Sequence, residues 1–60
     1  MKHLIGSMRQ YSITYITDAG NTVVTKLSAP NRFLLTMEIY QEIKDMKDND
    51  TDNIIAVEEV

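Results

Sequence analysis

Acidic side chains alternate along a short segment near the C-terminal end of this sequence. Asp48, Asp50 and Asp52 stand two positions apart, and Glu59 follows seven positions after the last of them. Carboxylate oxygens are preferred ligands of Ca²⁺, which takes about six to eight oxygen atoms. Alternating aspartates can therefore converge on one cation while a distant glutamate closes the site. Calcium binding is one hypothesis for residues 48–59.

The same twelve residues resemble the calcium-binding loop of EF-hand proteins. The three aspartates match loop positions one, three and five, and Glu59 matches position twelve. Asn53 stands where the family carries glycine, and Ala56 stands at position nine, which supplies a ligand or a water anchor in the family. The resemblance implies calcium binding. The alternative is a solvated turn, since Asp and Asn side chains readily hydrogen-bond the nearby main chain.

Residue types that perform covalent catalysis are scarce in this sequence. It contains no cysteine and one histidine, His3, whereas nucleophilic catalysis needs a nucleophile beside a base. The two glycines stand fourteen positions apart, so no glycine-rich phosphate loop is present. We therefore expect a protein that is not an enzyme and that carries no cofactor.

The length and charge of the chain predict a small domain that associates with protein. A chain of 60 residues buries only about 60% of its unfolded surface, and no disulfide adds stability. Domains of this size often gain stability by oligomerisation, so we expect a single domain, 1–60, that forms a homodimer. The net charge is −3, and the six basic side chains are scattered. Binding to nucleic acid is not expected, because it needs clustered Lys and Arg.

Two further expectations concern the location of the protein and its first residues. No apolar run approaches the roughly 20 residues that span a bilayer, so we expect no membrane association and a cytoplasmic protein. Residues 1–7 are predicted to be irregular or to derive from a cloning junction at Gly6-Ser7-Met8.

The central stretch, residues 33–47, predicts the only helix. Leu35, Ile39, Ile43 and Met46 form one row on a helical wheel, and a second apolar row lies beside it. The start is expected between Pro30 and Arg32, because proline fits the first turn, with Ser28 or Asn31 as the cap. The end is expected at Asp48-Asn49-Asp50, because acidic residues oppose the helix dipole there.

The second apolar row consists of Phe33, Met37 and Tyr40, which we call the helix patch. Together the two rows cover roughly 200° of the wheel, twice the width of about 100° that a surface helix needs. One sheet can cover only part of so wide a stripe. The helix patch is therefore predicted to contact a partner, although it can also form the edge of an ordinary core. Leu34 is predicted to be exposed among polar residues.

The segment before the helix predicts a β-hairpin. Residues 8–17 alternate in polarity and are rich in β-branched and aromatic side chains, as are residues 22–28. Asp18-Ala19-Gly20 predicts a three-residue loop of type I with a bulge. This turn sets Tyr15 opposite Val23, and it sets Ile13 and Tyr11 opposite Thr25 and Leu27. The turn and the apolar pattern thus predict the same register.

A short third strand, residues 54–60, is predicted after the acidic segment, with Ile55 and Val57 on one face. The fold class is therefore α+β with a ββαβ order, in which one helix covers one face of a three-stranded, mostly antiparallel sheet. We expect the third strand beside the first, in spatial order 2-1-3. The alternative places it parallel to the second strand through a right-handed crossover.

These features favour a protein–protein interaction module, in keeping with a small inhibitor or adaptor of the kind that phage and mobile elements encode. The expected contact residues are the helix patch and the second strand, an exposed edge that carries Lys26. A second surface could engage a basic target through acidic residues. Its residues are Asp45, Asp48, Asp50, Asp52, Glu58 and Glu59.

Overall fold

The computed structural model describes residues 8–60, so the expectation for residues 1–7 lies outside the described part of the chain. The described residues form α+β structure in the predicted ββαβ order. The elements are β1 (Arg9–Ile16), β2 (Thr22–Ala29), α1 (Arg32–Glu42) and β3 (Ile54–Glu59), with two short 3-10 turns, Lys47–Asn49 and Thr51–Asn53, between α1 and β3. Within the described residues no helix is long and apolar enough to cross a bilayer.

The hairpin of β1 and β2 has the predicted register. Tyr15 pairs with Val23, and the later pairs follow in step along both strands. The N–H of Gly20 donates to the carbonyl of Thr17 at 2.9 Å, and Gly20 has φ +86°. Glycine adopts this φ without steric cost. The loop therefore closes as a three-residue turn because its last position carries no side chain.

The helix α1 begins as predicted. Asn31 is its N-cap, and the Asn31 Oδ1 atom accepts the N–H of Leu34 at 2.9 Å. This bond satisfies one of the N–H groups that the first turn leaves without a helical partner. Of the two candidate caps, Asn31 and Ser28, the first is therefore used.

The predicted end of the helix is wrong. The helix stops at Glu42, and Ile43 already has an extended backbone. The chain leaves the helix because residues 43–46 pair with the end of β1: Thr17 and Met46 form a β-bridge, and the N–H of Asp18 donates to the carbonyl of Asp45 at 2.9 Å. Ile43 and Met46 are buried all the same. The spacing of Ile43 and Met46 also fits a helix, but pairing with β1 selects the extended form.

The core lies between the helix and one face of the sheet, and its centre is β1. Its buried apolar residues are Tyr11, Ile13, Tyr15, Ala29, Leu35, Ile39, Ile43 and Met46. Apart from Ala29, the inward apolar side chains of the outer strands, among them Val23 and Leu27, are only half-buried. Leu34, predicted to be exposed, is also half-buried. A single helix thus covers the central strand fully and the flanking strands in part.

The strand β3 lies antiparallel beside β1, which gives the expected order β2-β1-β3. Ile54 pairs with Tyr15 and Ala56 pairs with Thr14, the preceding residue of β1, so Ile55 is an extra residue in a β-bulge. The prediction that Ile55 and Val57 share a face is therefore wrong. The bulge turns Ile54 and Val57 toward the core and leaves Ile55 exposed.

Candidate functional site

The helix patch is the most exposed group of large apolar side chains on α1. Phe33 is 82% exposed, Met37 54% and Tyr40 41%. Leu35 and Ile39, on the other side of the same helix, are buried against the sheet. The apolar stripe is thus divided, because one row packs into the core while the other lies beyond the reach of the sheet.

The structure separates Lys26 from the helix patch. Lys26 lies on β2 opposite Ser12, and both side chains belong to the sheet face that the helix does not cover. The helix patch lies on the far side of α1. The helix patch and Lys26, which were expected to belong to two separate contact regions, therefore lie on opposite sides of the fold.

Arg32 has a positional role that the sequence pattern did not indicate. Its guanidinium lies 5.7 Å from the centre of the Tyr11 ring, and its Nη2 atom donates to the carbonyl of Val57 at 3.3 Å. A cation above an aromatic face is stabilised by the ring quadrupole. The first residue of the helix is thus bound to β1 and β3 together. In the sequence, the only indication of this role of Arg32 is its position directly after the Asn31 cap.

The acidic segment folds as a hydrogen-bonded turn. The Asp50 Oδ1 atom accepts the N–H of Asp52 at 2.9 Å, and the Asn53 side chain donates to the carbonyl of Lys47 at 2.8 Å. Asp48 and Asn49 have positive φ, 55° and 48°. Asp and Asn tolerate this conformation better than most residues because their short side chains bond the local main chain. The hydrogen bonds and positive φ angles of the turn are therefore a structural role for these Asp and Asn residues that involves no ligand.

The proposed calcium ligands do not converge in this fold. Glu59 is the last residue of β3 and forms an ion pair with Arg9 at 3.7 Å. Since a strand rises by about 3.3 Å per residue, Glu59 lies about 17 Å along β3 from the acidic turn. Within residues 8–60 no three Asp, Glu or His side chains form a group able to hold a metal ion.

The six residues of the expected acidic surface are spread over three places. Asp45 lies beside the end of β1, where its carbonyl and carboxylate both accept hydrogen bonds. The three aspartates of the turn are exposed, and Glu58 and Glu59 lie at the other end of β3. The acidic side chains therefore lie at both ends of β3 and form no compact cluster.

A hydrogen bond joins the segment after the helix to the central strand. The hydroxyl of Tyr15 donates to the Asp45 Oδ1 atom at 2.7 Å. This bond, together with burial and the negative charge of Asp45, raises the pKa of Tyr15 from 10.0 to about 12. The protonated phenol is thus favoured in the folded state, because only the protonated form can donate to the carboxylate.

Replacing Tyr15 with phenylalanine should lower the free energy of unfolding at pH 7 by about 1.5–3 kcal/mol, since one hydrogen bond to a charged group is lost. Because folding raises the pKa of Tyr15, its stabilising contribution is complete below pH 10 and disappears as the pH rises to about 12. Urea unfolding at pH 7, 10 and 12 tests this. The difference between wild type and Tyr15→Phe should shrink over that range, and a constant difference would contradict it. Tyr40→Phe is the control, because it removes the same hydroxyl from an exposed tyrosine and should leave the free energy of unfolding nearly unchanged.

No cavity is found among the residues that the structure describes. The surface features described above are the helix patch, the outer edges of β2 and β3, and the acidic side chains beside β3. Comparison of the chain with protein-family models, with curated proteins and with solved structures found no match.

Proposed function

We propose that this chain is a small acidic protein–protein interaction module that is not an enzyme, works as a homodimer, and presents the helix patch to a protein target. The observation that carries the proposal is the exposure of Phe33, Met37 and Tyr40 on the side of α1 away from the sheet. In this role the protein would act by occupying a surface of its target, as an inhibitor or adaptor does.

The chemistry of the helix patch supports contact with protein. Aromatic residues and Met are enriched in the cores of protein interfaces, and Met adapts its shape to irregular partners. Burying the Phe33 side chain in an interface would contribute about 1.5–3 kcal/mol. Because the Phe33 side chain is 82% exposed, folding gains little of this burial free energy. A large share of the burial free energy is therefore available for binding.

The proposed homodimer is supported by the incomplete core. Apart from Ala29, the inward apolar side chains of β2 and β3 stay half-buried. A chain of 60 residues without cysteine also has no covalent means of gaining stability. Sedimentation over a concentration range from micromolar to millimolar tests this part. We expect the mass to rise from 6.9 kDa toward twice that value. A constant monomer mass would remove the homodimer from the proposal.

The charge of the protein supports a basic target surface. The net charge is −3, and the acidic side chains border the β3 side of the fold. Opposite charges on two partners speed their association, and this attraction weakens as salt rises. The association rate with the target should therefore fall as salt concentration increases.

Replacing Phe33 with glutamate tests the helix patch. The immobilised wild type and Phe33→Glu are used to capture proteins from the native cell, and each candidate is then purified and titrated. We expect a target that binds Phe33→Glu at least about tenfold more weakly, because a hot-spot aromatic contributes about 2 kcal/mol or more. Gln41→Glu adds the same charge to an exposed position of the same helix outside the patch and should bind normally. Equal affinities for wild type and Phe33→Glu would overturn the proposal.

A further inference from the structure

The two edges of the sheet differ in how accessible their main-chain groups are. In an antiparallel pair the residues alternate between those that exchange hydrogen bonds with the neighbour and those that point away. The N–H of Thr17 donates to the carbonyl of Asn21 at 2.8 Å, which sets the phase of this alternation in the hairpin. The residues of β2 whose N–H and C=O groups point away from β1 are therefore Thr22, Val24, Lys26 and Ser28.

The edge of β3 is obstructed. The N–H of Val60 donates to the carbonyl of Gln10 at 2.9 Å, so the main-chain groups of Val57 and Glu59 point outward. Arg32 already donates to the carbonyl of Val57. The bulge at Ile55 interrupts the same edge and bends it. A bulge that bends the strand is one device by which strand edges avoid pairing. No comparable side-chain hydrogen bond or bulge lies on β2 within the described residues.

We propose that two copies of this chain join through their β2 edges, antiparallel about a two-fold axis at Thr25, to form a continuous six-stranded sheet. This inference rests on the homodimer of the proposed function and specifies its surface. In this register Val24 lies opposite Lys26 of the second copy, and Thr22 lies opposite Ser28 of the second copy. All four outward residues of each strand then exchange main-chain hydrogen bonds with outward residues of the other.

The side chains of β2 are self-complementary in this register. On the helix side, half-buried Val23 meets half-buried Leu27 of the second copy, and the two Thr25 side chains meet at the axis. Such apolar and Thr–Thr cross-strand pairs each contribute about 0.2–1 kcal/mol. On the outer side, the aliphatic stem of Lys26 covers Val24, which is 63% exposed in one copy. An axis at Lys26 would instead set two like charges opposite each other, which is unfavourable.

This dimer leaves the helix patch free. The patch lies on the far side of α1 from the sheet, whereas the pairing takes place in the plane of the sheet. The assembled protein therefore carries two helix patches, one on each helix of the same sheet face. A target with two copies of its own site would be bound more tightly through both patches than through one.

Hydrogen exchange of single main-chain amides tests the proposed edge directly. In wild-type samples whose mass is followed by sedimentation, the amides of Thr22, Val24, Lys26 and Ser28 should exchange at least about tenfold more slowly when the protein is dimeric than when it is monomeric. The outward amides of Val57 and Glu59 on β3 should show no such change. Unchanged exchange on β2 in a dimeric sample would overturn this inference and leave the homodimer intact.

A proline at Val24 gives a second, independent test. Within residues 8–60 of one copy the N–H of Val24 has no partner, so proline removes no hydrogen bond of the described fold and is tolerated on an edge strand. Val24→Pro should stay monomeric at concentrations where the wild type is dimeric. Glu59→Pro removes the matching outward N–H on β3 and should dimerise normally, as should Phe33→Glu. If Phe33→Glu alone dissociates the dimer, the helix patch joins the copies and the inference is wrong. A wild type that never dimerises refutes the homodimer itself.

Discussion

Replacing Met46 with alanine is expected to lower the free energy of unfolding by about 2–4 kcal/mol, although this residue lies outside any helix or named strand. Met46 is 2% exposed and contacts the core from the bridge with Thr17. Truncating a buried Met loses its transfer free energy and leaves a cavity. The surrounding residues can relax little, because the Asp18–Asp45 main-chain bond holds this segment against β1.

Met37→Ala is the matched control, since the same atoms are removed from a residue that is 54% exposed. Its effect on unfolding should stay within about 0.5 kcal/mol. Both variants are measured by urea unfolding at one protein concentration, because the proposed dimerisation would make stability depend on concentration. Equal losses at the two positions would mean that residues 43–46 do not pack as described.

Ile13→Ala is expected to have the largest effect on stability, about 2–5 kcal/mol. Ile13 lies at the centre of β1 and is fully buried. A domain of this length has a total stability of about 3–9 kcal/mol at the usual 0.05–0.15 kcal/mol per residue. The variant should therefore lose a large share of the stability of the fold, which would lower its urea midpoint and its melting temperature.

Ile55→Ala removes the same atoms from the bulge residue of β3, which is 57% exposed. We expect it to change the free energy of unfolding by less than about 0.5 kcal/mol. The comparison tests the bulge itself. Without it, Ile55 and Val57 would share a face of β3, and truncating Ile55 would cost as much as truncating a half-buried core residue.

The hairpin and the start of the helix could be predicted because their signals are local. Gly20 closes a turn whose length sets the register, and the alternation of Tyr11, Ile13 and Tyr15 demands the same register. Asn31 caps the helix from three residues away. The helix patch was also predictable, because the sequence pattern alone shows an apolar stripe wider than one sheet can cover. Its exposure then followed from the width of the sheet.

The remaining features depend on contacts between distant segments. Residues 43–46 satisfy both a helical pattern and an extended one, and only the hydrogen bonds of Asp45 to Asp18 and Tyr15 select the extended form. The bulge at Ile55 arises where β3 meets β1. The contact of Arg32 with Val57 joins residues 25 positions apart. The sequence thus specified the hairpin and the start of the helix, together with their apolar faces. The ends of the elements and the accessible edge of the sheet were selected by long-range pairing, whose energies no local pattern records.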